Sequence, residues 1–149
     1  MLEINNIHIN YGRQIIIDSN LIFNDFGIAI IKGESGSGKT SLIRNILFQE
    51  RQFNHYFYNK KEIINKNQID HLFSVMDQKN LFIEDLKIFE HFELLKKIYH
   101  SKSIDDYIEK LEVKDTFNKY PGQLSGGEKN RISLLMCLLK NTPIIILDE

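Results

Sequence analysis

Lys39 and Thr40 close the run Gly33-Glu34-Ser35-Gly36-Ser37-Gly38-Lys39-Thr40, and Ser41 follows them. The spacing is G-x-x-x-x-G-K-[ST], and each letter answers a need of a bound polyphosphate. Phosphate oxygens are anionic and require donors. Glycines let the backbone curl so that successive N–H groups point inward, because no Cβ blocks the turn. A helix that starts directly after the loop adds its unpaired N-terminal N–H groups and the positive end of its dipole. The Lys39 ammonium supplies a point charge for the outer phosphates, and the Thr40 hydroxyl suits Mg2+. The plain alternative is a glycine-rich turn. The phosphate reading needs a strand before the loop and a helix after it. Ile28–Ile31 reads as that strand, and Leu42, Ile43, Ile46 and Leu47 fall at helical spacing.

A second glycine motif is Leu124-Ser125-Gly126-Gly127-Glu128. Ser125 and Glu128 have the S-x-x-E spacing of a capping box, which accounts for local structure. It leaves two adjacent glycines in a first helical turn unexplained, each costing about 1 kcal/mol against alanine. Glycines there make sense where something must approach the backbone closely. A helix start with a serine hydroxyl is then a second anion site, yet one ATP has a single triphosphate. The third motif is Ile144-Ile145-Ile146-Leu147-Asp148-Glu149, an apolar strand that delivers two carboxylates at its tip.

The elements around these motifs read as α/β. Short β-branched runs at Ile4, Ile7 and Ile9, at Ile15–Ile17, at Leu21–Phe23 and at Ile28–Ile31 are expected strands, separated by Asp18-Ser19-Asn20 and Asn24–Gly27. Residues 49–68, rich in Asn and Lys, read as surface loop with one short strand at 53–58. His71–Met76 reads as a strand. Leu86, Phe89, Phe92, Leu95 and Tyr99 mark one apolar helix face. Ser103 is the expected N-cap of a further helix, and a third runs from Ser125 to about Leu139.

The totals bound the class. The 149 residues, 42% hydrophobic and 26% charged, suffice for a domain with a core, and the net charge of −1 gives no basic field for nucleic acid. The single cysteine, Cys137, lies among apolar residues and reads as a small buried side chain. No run reaches the roughly 18 apolar residues of a membrane span. No secretory signal is visible at the N-terminus, so a soluble, cytoplasmic chain is expected.

The phosphate loop, LSGGE and IIILDE, in that order, resemble the nucleotide-binding domain of an ATP-binding cassette (ABC) transporter ATPase, over nearly the whole chain. The resemblance implies a P-loop NTPase core with an N-terminal antiparallel β subdomain and a helical subdomain inserted at 79–124. It implies that two cassettes pair head to tail, so that the LSGGE of one caps the ATP held by the phosphate loop of the other. That resolves the two anion sites. Tyr11 matches the aromatic that stacks on adenine, with packing in a sheet as the alternative. Gln78 matches the glutamine that reaches Mg2+ and the attacking water, with a solvated loop residue as the alternative; the family often has Pro before it, where this chain has Asp77. Asp148 matches the acid that binds Mg2+, and Glu149 the general base for attack on the γ-phosphate. The implied partners are a second cassette and a membrane-spanning subunit, with the chain peripheral at the inner membrane face. Coiled-coil relatives that act on chromosomes place hundreds of residues between loop and signature, far more than separate Thr40 from Leu124 here.

The family continues past the acidic strand with a further strand and a switch histidine. His8, His55, His71, His91 and His100 all precede Glu149, and none matches it. The sequence therefore reads as a cassette truncated after the acidic strand, its C-terminal strands missing, and a poor ATPase by itself. Two other functions stay open: a soluble non-transport cassette, and a remnant that binds nucleotide without turnover.

Overall fold

A computed structural model describes residues 1–11, 14–47, 55–76, 82–100 and 104–148, with the backbone alone at 8, 10, 11 and 14–19. The chain divides into two compact units, Met1–His71 and Leu72–Glu149.

The first unit is built on β1 (Leu2–Tyr11), which lies inside an antiparallel sheet ordered β2-β1-β3-β4. Its partners are β2 (Gln14–Phe23), β3 (His55–Tyr58) and β4 (Lys61–Ile63). Leu2 and Ile4 keep a period of two, as do Ile7 and Ile9, but the interval from Ile4 to Ile7 is odd. The register against β2 slips between Ile4 and Ile7, Asn6 takes φ 58°, and its N–H donates to Asn20 Oδ1 at 2.8 Å. The bulge restores the phase, so that all four side chains are buried. The expected turn at Asp18-Ser19-Asn20 is not formed: β2 runs through it as one strand, with Asp18 and Ser19 opposite His8 and Ile7.

Two further expectations fail here. Ile28–Ile31 is not a strand: Ile28 and Ile30 are 93% and 72% exposed, and no described residue pairs with the segment. β-branched residues favour a pleated, half-buried surface, and without a neighbour to supply one the propensity has nothing to act on. The polar stretch before residue 69 holds more structure than a loop. Asn59 and Lys60, both at positive φ, turn β3 into β4. Helix α2 (Lys66–Leu72) follows, so His71 and Leu72 are helical and the next strand starts at Phe73. Asn65 caps α2 by accepting from Gln68 N–H at 3.0 Å, while Gln68 Oε1 accepts from Ile64 N–H at 2.8 Å. Helix α1 (Lys39–Ile46) buries Leu42, Asn45 and Ile46 and packs against β1. The Tyr56 hydroxyl donates to the Asn45 carbonyl at 2.6 Å, tying the last turn of α1 to β3.

In the second unit β5 (Phe73–Met76) pairs in parallel with β6 (Ile144–Leu147), in register from Phe73 opposite Ile144 to Met76 opposite Leu147. Parallel neighbours need a long crossover, and three helices supply it: α3 (Ile88–Tyr99), α4 (Asp105–Lys110) and α5 (Gly126–Leu139). Ile88, Phe92, Ile104, Val113, Leu124, Ile132, Leu135 and Leu139 form one buried core. The buried face of α3 is Ile88, His91 and Phe92, whereas Phe89 and Tyr99, expected on that face, are exposed. His91 could join it because its ring is satisfied: Nε2 accepts from Ile83 N–H and Nδ1 donates to the Lys87 carbonyl, both at 2.9 Å. The cap residue of α4 is Ile104; Ser103 lies outside the described residues. Lys140 Nζ donates to the Phe73 carbonyl and the Thr142 hydroxyl to Ser74 Oγ, both at 2.8 Å, fixing β6 beside β5.

Candidate functional site

The glycine-rich loop in the first unit has the shape its letters demand. A Cβ on Gly33 would stand 2.4 Å from Ser37 Oγ and 3.3 Å from Ser37 Cβ, so a side chain there requires Ser37 to turn away. Gly36 and Gly38 sit at φ 81° and 93°, and Ser37 N–H donates to the Glu34 carbonyl at 3.2 Å to close the turn. Gly38 is the N-cap of α1, and no acidic residue stands in its first turn. Residues 33–37 and Thr40 are exposed, and Ser41 is half-buried. The Lys39 side chain folds back over the loop, its Nζ donating to the carbonyls of Gly33 at 2.8 Å and Glu34 at 2.9 Å. Among the described residues it has no carboxylate partner. A concave backbone, an uncapped helix start and an ammonium laid over them fit a polyphosphate.

The second glycine motif starts α5 as a complete capping box. Ser125 is the N-cap; its Oγ accepts from Glu128 N–H at 3.3 Å, and its own N–H donates to Glu128 Oε2 at 2.7 Å. The Ser125 hydroxyl also donates to Glu128 Oε2, at 2.8 Å, while Lys119 Nζ holds Glu128 Oε1 at 2.8 Å. Hydrogen bonds from Lys119 and then from Ser125 hold the Glu128 carboxyl down to about 2, from an ordinary 4.5. The two glycines are not required by this packing. A Cβ on Gly126 would meet nothing within 4 Å, and one on Gly127 only the Arg131 guanidinium at 3.6 Å.

In the same unit Asp148 follows β6, and its N–H donates to the Met76 carbonyl at 3.0 Å. Beside it lies a shallow cavity of about 440 Å³ lined by Met76, Asn130, Arg131, Leu134, Leu147 and Asp148. The stretch of α5 from Asn130 to Leu134 and the acidic strand end therefore share one groove. Arg131 and Lys119 were not singled out by sequence reading, since nothing in their spacing separates them from solvated surface cations. Cys137 is half-buried rather than fully buried, and that burial pushes its thiol up. Gln78, Glu149 and the ring of Tyr11 lie outside the described residues; the backbone of Tyr11 ends β1. Among the described residues no group of three or more His, Cys, Asp or Glu is placed to hold a metal ion.

Comparison with known proteins assigns the class. The family described as ABC transporter matches residues 17–149, and the chain belongs to that family. It is 26% identical to the L-cystine import ATP-binding protein TcyN of Bacillus subtilis, covering all of this chain and 64% of that protein. It is 30% identical to the molybdenum import ATP-binding protein ModC of Haemophilus ducreyi, over all of this chain and 44% of that one. The chain thus spans about half the length of these curated relatives. Among solved structures, a putative ABC transporter ATP-binding protein from Pyrococcus furiosus superposes with a TM-score of 0.82 at 22% identity, over 99% of this chain and 74% of that one. A dimeric ATP-binding cassette bound to ADP and Pi gives 0.76 at 22% identity, over 100% and 74%. The fold is that of ATP-binding cassettes. No helix among the described residues is long and apolar enough to cross a membrane.

Proposed function

We propose that this chain is the ATP-binding part of an ABC transporter's ATP-hydrolysing subunit. The observation that carries the reading is the loop of residues 33–41, where Gly36 and Gly38 take positive φ and Lys39 lies across the carbonyls of Gly33 and Glu34. Gly33, Glu34, Ser35, Gly36, Ser37, Gly38, Lys39, Thr40 and Ser41 hold the phosphates, and Tyr11 takes the adenine. Thr40, Gln78 and Asp148 offer the oxygen ligands Mg2+ prefers, and the ion would neutralise charge on the transferring phosphate. Glu149 is the general base, with Gln78 and Lys39 beside the reacting phosphate. Residues 79–124 form the helical subdomain.

The bare first turn of α5 supports a partner that approaches closely. Glycines 126 and 127 cost helix stability and fill no need of their own unit, which fits capping of a second cassette's nucleotide by Ser125, Gly126, Gly127 and Glu128. The relatives' names cover import of cystine, molybdenum and thiamine at similar identities. That range supports a shared ATP-driven role through a membrane-spanning subunit at the cytoplasmic face, with the cargo set elsewhere.

The test is equilibrium binding of a fluorescent ATP analogue with and without Mg2+. Lys39→Ala should weaken binding at least about tenfold, the scale of one lost charge-assisted hydrogen bond of roughly 1.5–3 kcal/mol. Unchanged binding, with the circular dichroism intact, would refute the reading.

A further inference from the structure

The Ser125 hydroxyl has one proton to give, and in this structure it gives it to Glu128 Oε2 at 2.8 Å. If Ser125 is to meet a phosphate oxygen, that proton must be released and re-aimed. Glu128 is also an anion at the very helix start where the phosphate would sit, so it can serve the capping site only with its charge balanced. Both obstacles depend on how far the Glu128 charge is neutralised. Among the described residues the group paired with its charge is Lys119, nine residues upstream, whose Nζ bonds the other carboxylate oxygen at 2.8 Å.

We propose that Lys119 is a positioning residue for Ser125, acting through Glu128: the ion pair draws the carboxylate's charge toward Lys119 and frees the Ser125 hydroxyl for an incoming phosphate. This rests on the reading that the α5 start caps a second cassette's nucleotide. The geometry gives each atom one task. Oε1 faces Lys119, Oε2 receives both donors of Ser125, and Ser125 Oγ remains the acceptor for Glu128 N–H at 3.3 Å. Without Lys119 the full charge would fall on the hydroxyl and on any phosphate nearby. With glutamine at 128 there is no charge to share, and Lys119 has nothing to act through.

The experiment is ATP-dependent self-association of the whole protein, followed by analytical ultracentrifugation with a slowly hydrolysed ATP analogue and Mg2+. Lys119→Met should weaken association roughly fivefold, the upper range for an exposed ion pair, and Lys119→Arg should restore it to within about twofold. In a Glu128→Gln background Lys119→Met should change nothing. A second readout follows the 13C resonance of the Glu128 carboxyl, whose titration midpoint should rise when Lys119 is replaced by Met. Equal association of wild type and Lys119→Met overturns the proposal. So does a loss that persists in the Glu128→Gln background, because Lys119 would then act on the nucleotide directly. An unmoved carboxyl midpoint overturns it by removing the ion pair. Failure of the wild type to associate with ATP at all refutes the capping reading itself.

Discussion

Glu128 is the residue at which charge and local structure are most tightly joined. Its carboxyl, held down to about 2, is ionised in the folded chain well below the pH where it would protonate when unfolded. A lowered folded value contributes stability that is fully present above the ordinary 4.5 and is lost as pH falls from 4.5 towards 2. The stability of the second unit should therefore fall over that window, and Glu128→Gln should flatten the slope there, being less stable than the wild type at neutral pH and converging on it as the pH falls. Denaturant titrations at several acid pH values check this; an identical slope in the variant would remove Glu128 as the source. Gly33 acts by volume instead. Gly33→Ala brings a methyl to 2.4 Å from Ser37 Oγ and 3.3 Å from Ser37 Cβ, so Ser37 must turn and shift. The loop is exposed, so the fold should survive while affinity for a fluorescent ATP analogue drops, by less than in Lys39→Ala; unchanged affinity would mean Ser37 moves without disturbing the loop.

Among the elements, α5 carries both chemistry and core. Ile132, Leu135 and Leu139 repeat at helical spacing and are fully buried, while Arg131 and Leu134 face the groove beside Asp148. Leu135→Ala should cost about 2–5 kcal/mol in chemical denaturation, since the close-packed core collapses poorly around the void. Leu134→Ala, at a half-buried position, should cost clearly less; equal losses would mean α5 is turned differently. The sequence announced α5 well because everything that defines it is local: a cap, a capping box and an apolar period. Helix α2 was missed because Ile69 is its one buried residue, too few to show a period, although Asn65 and Gln68 already had capping-box spacing. The bulge at Asn6 was written in the odd interval from Ile4 to Ile7. The ion pair of Lys119 with Glu128 was not legible, because it depends on how the turn through Pro121–Gln123 folds back.

At the scale of the whole molecule the same distinction separates motif from sheet. The phosphate loop could be read letter by letter because its neighbours along the chain make it. The segment Ile28–Ile31 could not, because a strand is a relation between two stretches of backbone and no described residue pairs with this one. The outcome is apolar surface in both units: Phe26, Ile28 and Ile30 in the first, and Ile145 and Leu147 on β6 in the second. Water-exposed aliphatic side chains beside open strand edges attract one another and any apolar probe. The 149-residue polypeptide should therefore bind the dye ANS and self-associate as its concentration rises, without nucleotide. Replacing Ile28 and Ile30 together by Lys should reduce both signals, and because both side chains already stand in solvent, far-UV circular dichroism should not change. Light scattering against concentration separates this association from ATP-dependent pairing, which requires the phosphate loop and must vanish in Lys39→Ala. A polypeptide that ignores ANS and stays monomeric at high concentration would mean these side chains are covered in solution by a part of the same chain. The strand reading of Ile28–Ile31 would then regain its footing.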